Sequence, residues 1–228
     1  QPFNCFIAIW IVSPKRIVTS SEHLFYCLAQ TTVHIAEPKH SAILQHNPDA
    51  FAIANALDLE RARGRVRGPL HGIPFTVKDN IATKDRMETT AGSWALLGSV
   101  APRDAFVVRR LREAGALLLG KAALSEWADM RSNNYSEGYS ARGGQCRSAF
   151  NLTVNPGGSS SGSSVAVGAN LVPFALGTET DGSGTFLVWS SLFQTSLTVT
   201  DSDQSSAEKC CCWYKAYSGP HITRRRNP

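Results

Sequence analysis

Residues 104–119 read DAFVVRRLREAGALLL, and this stretch decides the fold class. Val107 and Leu111 lie one helical turn apart, so the first part of the stretch predicts a helix, which Gly115 ends. The remainder, 116–119, is so uniformly apolar that it predicts a buried strand. A helix that leads directly into a buried strand is the unit from which α/β folds are built.

Two segments before this stretch continue the pattern. Asn47 is expected to cap a helix over 50–63, with Pro48 at its first helical position. Gly72–Val77 predicts a short buried strand that delivers Lys78 at its carboxyl end. The alternation predicts an α/β fold, a mixed β-sheet flanked by helices, in which at least some strands are parallel.

A segment rich in glycine and serine follows, with the sequence NPGGSSSGSS at residues 155–164. This composition is typical of a flexible linker, but linkers rarely run directly into an apolar helix and strand, here predicted over 165–171 and 172–176. A second turn of small residues, Glu179–Ser183, follows that strand. Two serine-bearing turns beside a lysine at a strand end, Lys78, make a constellation suited to nucleophilic catalysis.

The composition is that of an ordinary globular protein, since 43% of the 228 residues are hydrophobic, 18% are charged and the net charge is +5. These values exclude the disordered and collagen-like classes. The excess of basic residues is split between 61–67 and 224–226, without interleaved aromatic residues. It is therefore interpreted as solvated surface, and no nucleic acid is expected as a partner.

The cysteines carry no recognisable framework. Cys5, Cys27 and Cys146 are isolated and 210–212 are consecutive, which fits neither a zinc site nor a disulfide pattern. The apolar run at 6–12 is too short to span a bilayer, so no membrane partner is expected. A cytoplasmic location follows as the default expectation, and no metal or organic cofactor is implied.

A competing hydrolase motif overlaps the glycine-serine segment. Residues 158–162, GSSSG, fit the nucleophile elbow of the α/β hydrolases, with Ser160 at its apex. That motif needs a strand before it and an acid and a histidine after it, but Asn155–Gly157 precedes it and only His221 follows. The α/β hydrolase motif is therefore a weak interpretation of this segment.

Three strings carry a resemblance to a known family. GPLHGIPFTVKDN at 68–80, PGGSSSGS at 156–163 and GTETDGS at 177–183 resemble the lysine, glycine-serine and nucleophile motifs of the amidase signature family, in order and separation as well as in letters. The match is continuous from about Asn47 to Ser183. The resemblance implies the amidase signature fold, a small-molecule amide as substrate, and hydrolysis of a non-peptide carboxamide bond through an acyl-enzyme.

The same resemblance implies a Ser-Ser-Lys triad. Ser183 would be the nucleophile, Ser159 the bridging serine whose peptide bond is cis in the family, and Lys78 the base. Since lysine normally titrates near a pKa of about 10.4, it can serve as a base only where burial and nearby dipoles disfavour its charged form. This mechanism has no histidine base, so His71 is interpreted as structural. The expected oxyanion hole consists of the backbone N–H groups of Thr180, Asp181, Gly182 and Ser183.

The family pattern stops after Ser183. The chain is therefore expected to divide into an N-terminal extension of uncertain role (1–45), an amidase signature core (46–183) and an unrelated tail (184–228), for which disorder is one expectation. A chain truncated after the nucleophile motif would leave the sheet incomplete at its C-terminal side. Two alternatives to an active amidase stay open, a catalytically inactive remnant and a glutaminase subunit of an amidotransferase complex. The substrate is not identified, and a homodimer is left open.

Overall fold

The structure, a computed structural model, describes residues 19–22, 25, 40–130, 134–179, 194–199 and 209–215. Residues 20–22 and 25 are helical, and three helices with complete bounds lie within the described ranges: α1 (Ala50–Ala62), α2 (Phe106–Glu113) and α3 (Ser161–Gly168). Short 3-10 turns lie at Trp94–Leu96 and Glu126–Asp129. The strands are β1 (Ile43–His46), β2 (Pro74–Lys78), β3 (Leu117–Ala122), β4 (Tyr139–Ser140), β5 (Gly144–Gln145), β6 (Phe174–Glu179), β7 (Gln194–Val199) and β8 (Lys209–Lys215).

Six of the described strands form one mixed sheet in the order β1-β3-β2-β6-β8-β7, and β4 pairs with β5 separately. The central strand β2 runs parallel to both β3 and β6. The outer strands are antiparallel, β1 to β3 on one side, and β8 to β6 and to β7 on the other. The predicted mixed α/β sheet with parallel pairing is confirmed.

Apolar side chains pack on both faces of this sheet. On one face, residues of α1 and α3 pack against β3, and this cluster includes Leu57, Val165 and Leu119. On the other face, Val108 of α2 lies in a second cluster with β2 and β6, in which the Phe75 and Phe174 rings stack with centroids 5.2 Å apart. Because both faces are covered, β2 and β3 are buried along their length and β6 is buried over its first four residues, as their apolar sequence requires.

The predicted cap of the first helix is wrong. Asp49, not Asn47, precedes the first residue of α1, and no side chain caps that end. The buried Asn47 amide instead donates from Nδ2 to the Leu118 carbonyl at 2.8 Å and accepts from the Asp49 N–H at 3.0 Å. Asn47 thus ties the start of α1 to β3, a contact between residues 71 positions apart.

The third helix begins earlier than predicted. α3 starts at Ser161, inside the glycine-serine segment, and its residues are all buried. Ser161 Oγ donates to the Gly157 carbonyl at 2.6 Å, and Ser163 Oγ donates to the Leu176 carbonyl at 2.8 Å. These serines bond backbone groups, so a stretch with the composition of a linker forms the first turns of a core helix.

Two strands lie within the segment that the sequence suggests is a tail. β8 pairs with β6 from Phe174↔Tyr214 to Glu179↔Lys209, and β7 pairs with β8 in turn. The described parts of 184–228 therefore extend the sheet beyond β6. Near the start of the chain, the backbone N–H groups of Ser20 and Ser21 donate hydrogen bonds to the Asp58 carboxylate on α1. The division at 45/46 and 183/184 stays a prediction.

Candidate active site

Lys78 is placed by the central strand. It is the last residue of β2, whose Phe75 and Val77 point into the α2 cluster, so alternation turns Lys78 toward the face that carries α3. Its side chain is fully buried. The strands on either side, β3 and β6, run parallel to β2, so the carboxyl ends of all three strands meet at the same edge. Ligand and catalytic sites of α/β sheets are characteristically found at this edge.

The Lys78 ammonium nitrogen lies among three oxygen atoms. Nζ is 2.7 Å from Ser159 Oγ, 3.1 Å from Ser160 Oγ and 3.2 Å from the Thr178 carbonyl oxygen. Ser159 and Ser160 come from the turn before α3, and Thr178 lies near the end of β6. Two separate segments therefore converge on one buried amine that a third, β2, carries.

The turn that carries Ser159 is held from both sides. The Gly158–Ser159 peptide bond is cis, as the family resemblance implies. The Ser159 carbonyl accepts from the Ser125 N–H at 3.1 Å, and Ser161 Oγ binds the Gly157 carbonyl at the start of the turn. A Cβ at Gly158 would collide with the Glu137 carboxylate and the Ser125 hydroxyl as they stand, so both side chains pack closely against this glycine.

Ser160 takes part in the site more directly than the sequence indicates. Its Oγ donates to the Thr178 carbonyl at 3.0 Å and lies 3.3 Å from the Thr178 N–H, as expected for a serine that bonds backbone. The same oxygen also accepts from Lys78. The Thr178 hydroxyl in turn accepts from Asn80 Nδ2 at 3.0 Å, which fixes the end of β6 to the residues after β2. In the sequence, the signal for this role was the position of Ser160 next to Ser159 in the glycine-serine motif.

The other predicted site residues lie outside the described residues. These are Ser183 and the expected oxyanion-hole residues Thr180, Asp181 and Gly182. The described part of β6 ends at Glu179, directly before them in sequence. The structure thus brings together Lys78 and Ser159, and the rest of the triad stays a prediction.

His71 lies at the other end of β2 from Lys78. Its Nδ1 accepts from the Arg67 N–H at 3.3 Å, so Nε2 carries the proton and donates to the Leu57 carbonyl at 2.9 Å. Both ring nitrogens are used by backbone groups, which agrees with a structural role.

Three further buried or half-buried charges surround the site, and the sequence did not single them out. Burial raises the pKa of Asp79, whose Oδ2 accepts from the Thr90 N–H and hydroxyl and from the Gly92 N–H. Burial lowers the pKa of Lys121 to about 8. Burial also raises the pKa of Glu137, which accepts a hydrogen bond from the Ser125 hydroxyl. Within the described ranges, no group of His, Cys, Asp and Glu side chains has the arrangement of a metal site.

A family model and several known proteins match most of this chain. A family model described as Amidase matches residues 25–186. A putative amidase of Schizosaccharomyces pombe is 66% identical over 167 residues, which cover 73% of this chain and 28% of that protein. A glutamyl-tRNA(Gln) amidotransferase subunit of Symbiobacterium thermophilum is 44% identical over 172 residues, covering 70% of this chain and 34% of that one.

A solved structure gives the same result for the fold. The native peptide amidase of Stenotrophomonas maltophilia superimposes with a TM-score of 0.81 at 40% identity, covering 87% of this chain and 42% of that chain. This chain spans about a third of the length of the curated relatives it matches. Among the described residues, no helix is both long and apolar enough to cross a bilayer.

Proposed function

This chain belongs to the amidase signature family, and we propose that it hydrolyses a carboxamide bond through a triad of Ser183, Ser159 and Lys78. The observation that carries the proposal is the 2.7 Å contact between Lys78 Nζ and Ser159 Oγ in a fully buried setting. A surface lysine would be held charged by water, whereas burial disfavours the charged form and so favours a base.

To act as a base, Lys78 must be in its neutral form when the nucleophile attacks. A neutral amine has two N–H donors and one lone pair. With the two N–H groups directed to Ser160 Oγ and the Thr178 carbonyl, the lone pair is left for the Ser159 hydroxyl. In this reactive form the Ser159 hydroxyl would donate to Lys78, and its oxygen would accept the proton of the nucleophile.

The proposed reaction then balances without a cofactor. Ser183 Oγ attacks the amide carbon while its proton passes to Ser159 and the Ser159 proton passes to Lys78. The negative charge on the former carbonyl oxygen would be held by the N–H groups of 180–183. The C–N bond breaks as the proton returns to the leaving amine, and water hydrolyses the acyl-enzyme by the same relay.

The test is labelling of the purified chain with a serine-directed fluorophosphonate, before and after single substitutions. Ser183→Ala and Lys78→Ala should abolish labelling because one removes the nucleophile and the other the base. Ser136→Ala and Lys84→Ala are matched controls at exposed positions and should label like wild type. Circular dichroism of each variant checks that the chain is folded. A folded wild type that takes no label would refute the triad and favour the inactive remnant.

Similarity to a glutamyl-tRNA(Gln) amidotransferase favours one second candidate, a glutaminase that supplies ammonia to a partner. The two are separated by measuring ammonia release from glutamine and from a panel of other small carboxamides. Glutamine as the preferred substrate would support the second candidate, and any other carboxamide the first. A cytoplasmic location and a homodimer are further proposals, tested by fractionation of the source cells and by light scattering of the purified chain.

A further inference from the structure

Glu137 lies against the turn that carries Ser159, although nothing in the proposed reaction uses it. Its Oε2 accepts a hydrogen bond from Ser125 Oγ at 3.0 Å. The same Oε2 packs closely over Gly158 and would have to move to admit a Cβ there. Gly158 is the residue before Ser159, so the carboxylate lies directly behind the backbone that presents the bridging serine.

Ser125 connects this carboxylate to Ser159. It is fully buried, and its backbone N–H donates to the Ser159 carbonyl at 3.1 Å. Its hydroxyl donates to Glu137 and accepts from the Gly138 N–H at 2.9 Å, so both hydroxyl functions are used. The orientation of Ser125 is therefore set by the 137–138 turn, and the Ser159 carbonyl is bound by the residue so oriented.

We propose that Glu137 is a positioning residue, which acts through Ser125 to hold the Ser159 backbone where Ser159 Oγ reaches Lys78. Its contribution to catalysis rests on the proposed function. The placement itself does not, because the hydrogen bonds that define it join Glu137, Ser125 and Ser159 without any substrate. Small displacements of a reacting group slow catalysis strongly. Loss of the Glu137 support should therefore lower the reaction rate measurably.

The charges around Glu137 determine how the variants are chosen. Burial raises the pKa of Glu137 and the negative charge of Asp129 raises it further, while the hydrogen bond from Ser125 and the positive charge of Lys78 lower it. The Tyr135 hydroxyl donates to Asp129 Oδ1 at 2.6 Å and lies 3.3 Å from the Glu126 carbonyl. Glu137→Gln removes the charge and keeps an acceptor oxygen for Ser125, whereas Glu137→Ala removes both. The pair therefore separates positioning from electrostatics.

The primary measurement is amide hydrogen exchange at Ser125, followed by NMR in the full chain. We expect exchange at Ser125 to accelerate in Glu137→Ala and to stay near the wild-type rate in Glu137→Gln. Glu113→Ala, at an exposed position on α2, is the matched control. An unchanged Ser125 rate in Glu137→Ala would overturn the inference, and so would equal acceleration in the glutamine variant. If the alanine variant unfolds, Glu137→Asp, which withdraws the carboxylate by one methylene, replaces it with the same expectation.

The second measurement is the rate of fluorophosphonate labelling. Glu137→Ala should label about ten- to a hundred-fold more slowly than wild type, and Glu137→Gln should recover most of that loss. Wild-type labelling speed in Glu137→Ala would overturn the catalytic part of the inference. A wild-type chain that takes no label refutes the proposed function instead, and in that case the Ser125 exchange rates alone decide whether Glu137 holds Ser159.

Discussion

At the scale of single residues, the carboxyl ends of β2 and β3 concentrate buried charge. Lys78 and Asp79 are adjacent on the chain, and Lys121 comes from β3. Lys121 Nζ donates to the Ile81 carbonyl at 2.6 Å and to Thr89 Oγ1 at 3.0 Å, which binds the loop after β2 to the sheet. Each of these groups is desolvated and then compensated by hydrogen bonds, an arrangement that costs stability and fixes geometry.

Lys121 predicts a specific dependence of stability on pH. Its pKa is lowered from 10.5 to about 8, so between these values the unfolded state binds more protons than the folded one. The free energy of unfolding should therefore rise with pH across this window, by about 3 kcal/mol in total. In Lys121→Met this rise should disappear, and in Lys84→Met, at an exposed lysine, it should persist. Urea unfolding of the three proteins from pH 7 to 10.5 measures it.

Cys146 also titrates within this pH window, so the effect of Lys121 is taken from the difference between wild type and Lys121→Met. Burial raises the pKa of Cys146 from 9.0 to about 12. Its contribution to the free energy of unfolding therefore falls as pH rises above about 9. This opposing effect is common to wild type and Lys121→Met, and it cancels in their difference. Identical pH profiles for the two proteins would show that Lys121 is not the source of the rise.

At the scale of elements, the approach of α3 to β3 depends on one glycine. The Gly162 N–H donates to the Ala123 carbonyl at 2.8 Å, and a Cβ on Gly162 would lie 2.6 Å from that oxygen. Since the obstructing atoms belong to the backbone, they cannot move aside as a side chain would. Gly162→Ala should lower the free energy of unfolding by about 1–3 kcal/mol, measured by urea denaturation.

Gly68→Ala provides the matched control. Gly68 has open space around its Cα and a φ outside the left-handed region, so alanine should be neutral or stabilise by less than about 1 kcal/mol. Equal effects at the two glycines would contradict the close packing of α3 on β3. The variant Gly162→Ala should also slow fluorophosphonate labelling, because α3 follows directly from the turn that carries Ser159.

The elements that the sequence predicted are those with a local signal. β2 and β3 are short apolar runs, and α2 has apolar residues at helical spacing. Each element can therefore be recognised from about ten consecutive residues. Lys78 was found because it ends such a run within a motif. What escaped prediction depends on distant partners. Asn47 bonds Leu118, Ser125 bonds Ser159, and the serines at the start of α3 become helical only when buried.

At the scale of the whole molecule, the candidate site lies at the strand where parallel pairing gives way to antiparallel pairing. β2 and β6 are parallel, and β6 then pairs antiparallel with β8. Thr178, whose carbonyl contacts Lys78, belongs to β6 and pairs with Cys210 of β8. β6, which carries the carbonyl that contacts Lys78, is thus hydrogen-bonded on its other side by β8. The sheet beyond β6 therefore contributes to the site indirectly.

This dependence predicts what removal of the last strands does. A chain ending at Ser183 lacks β7 and β8, so β6 becomes an edge strand whose backbone N–H and carbonyl groups are open to pairing with another molecule. We expect that chain to elute as aggregates in size-exclusion chromatography with light scattering, whereas a chain ending at residue 215, which keeps both strands, should elute like the full chain. Identical elution of all three would mean that β8 does not protect β6, and 184–228 would then be an unrelated tail, as the sequence alone suggests.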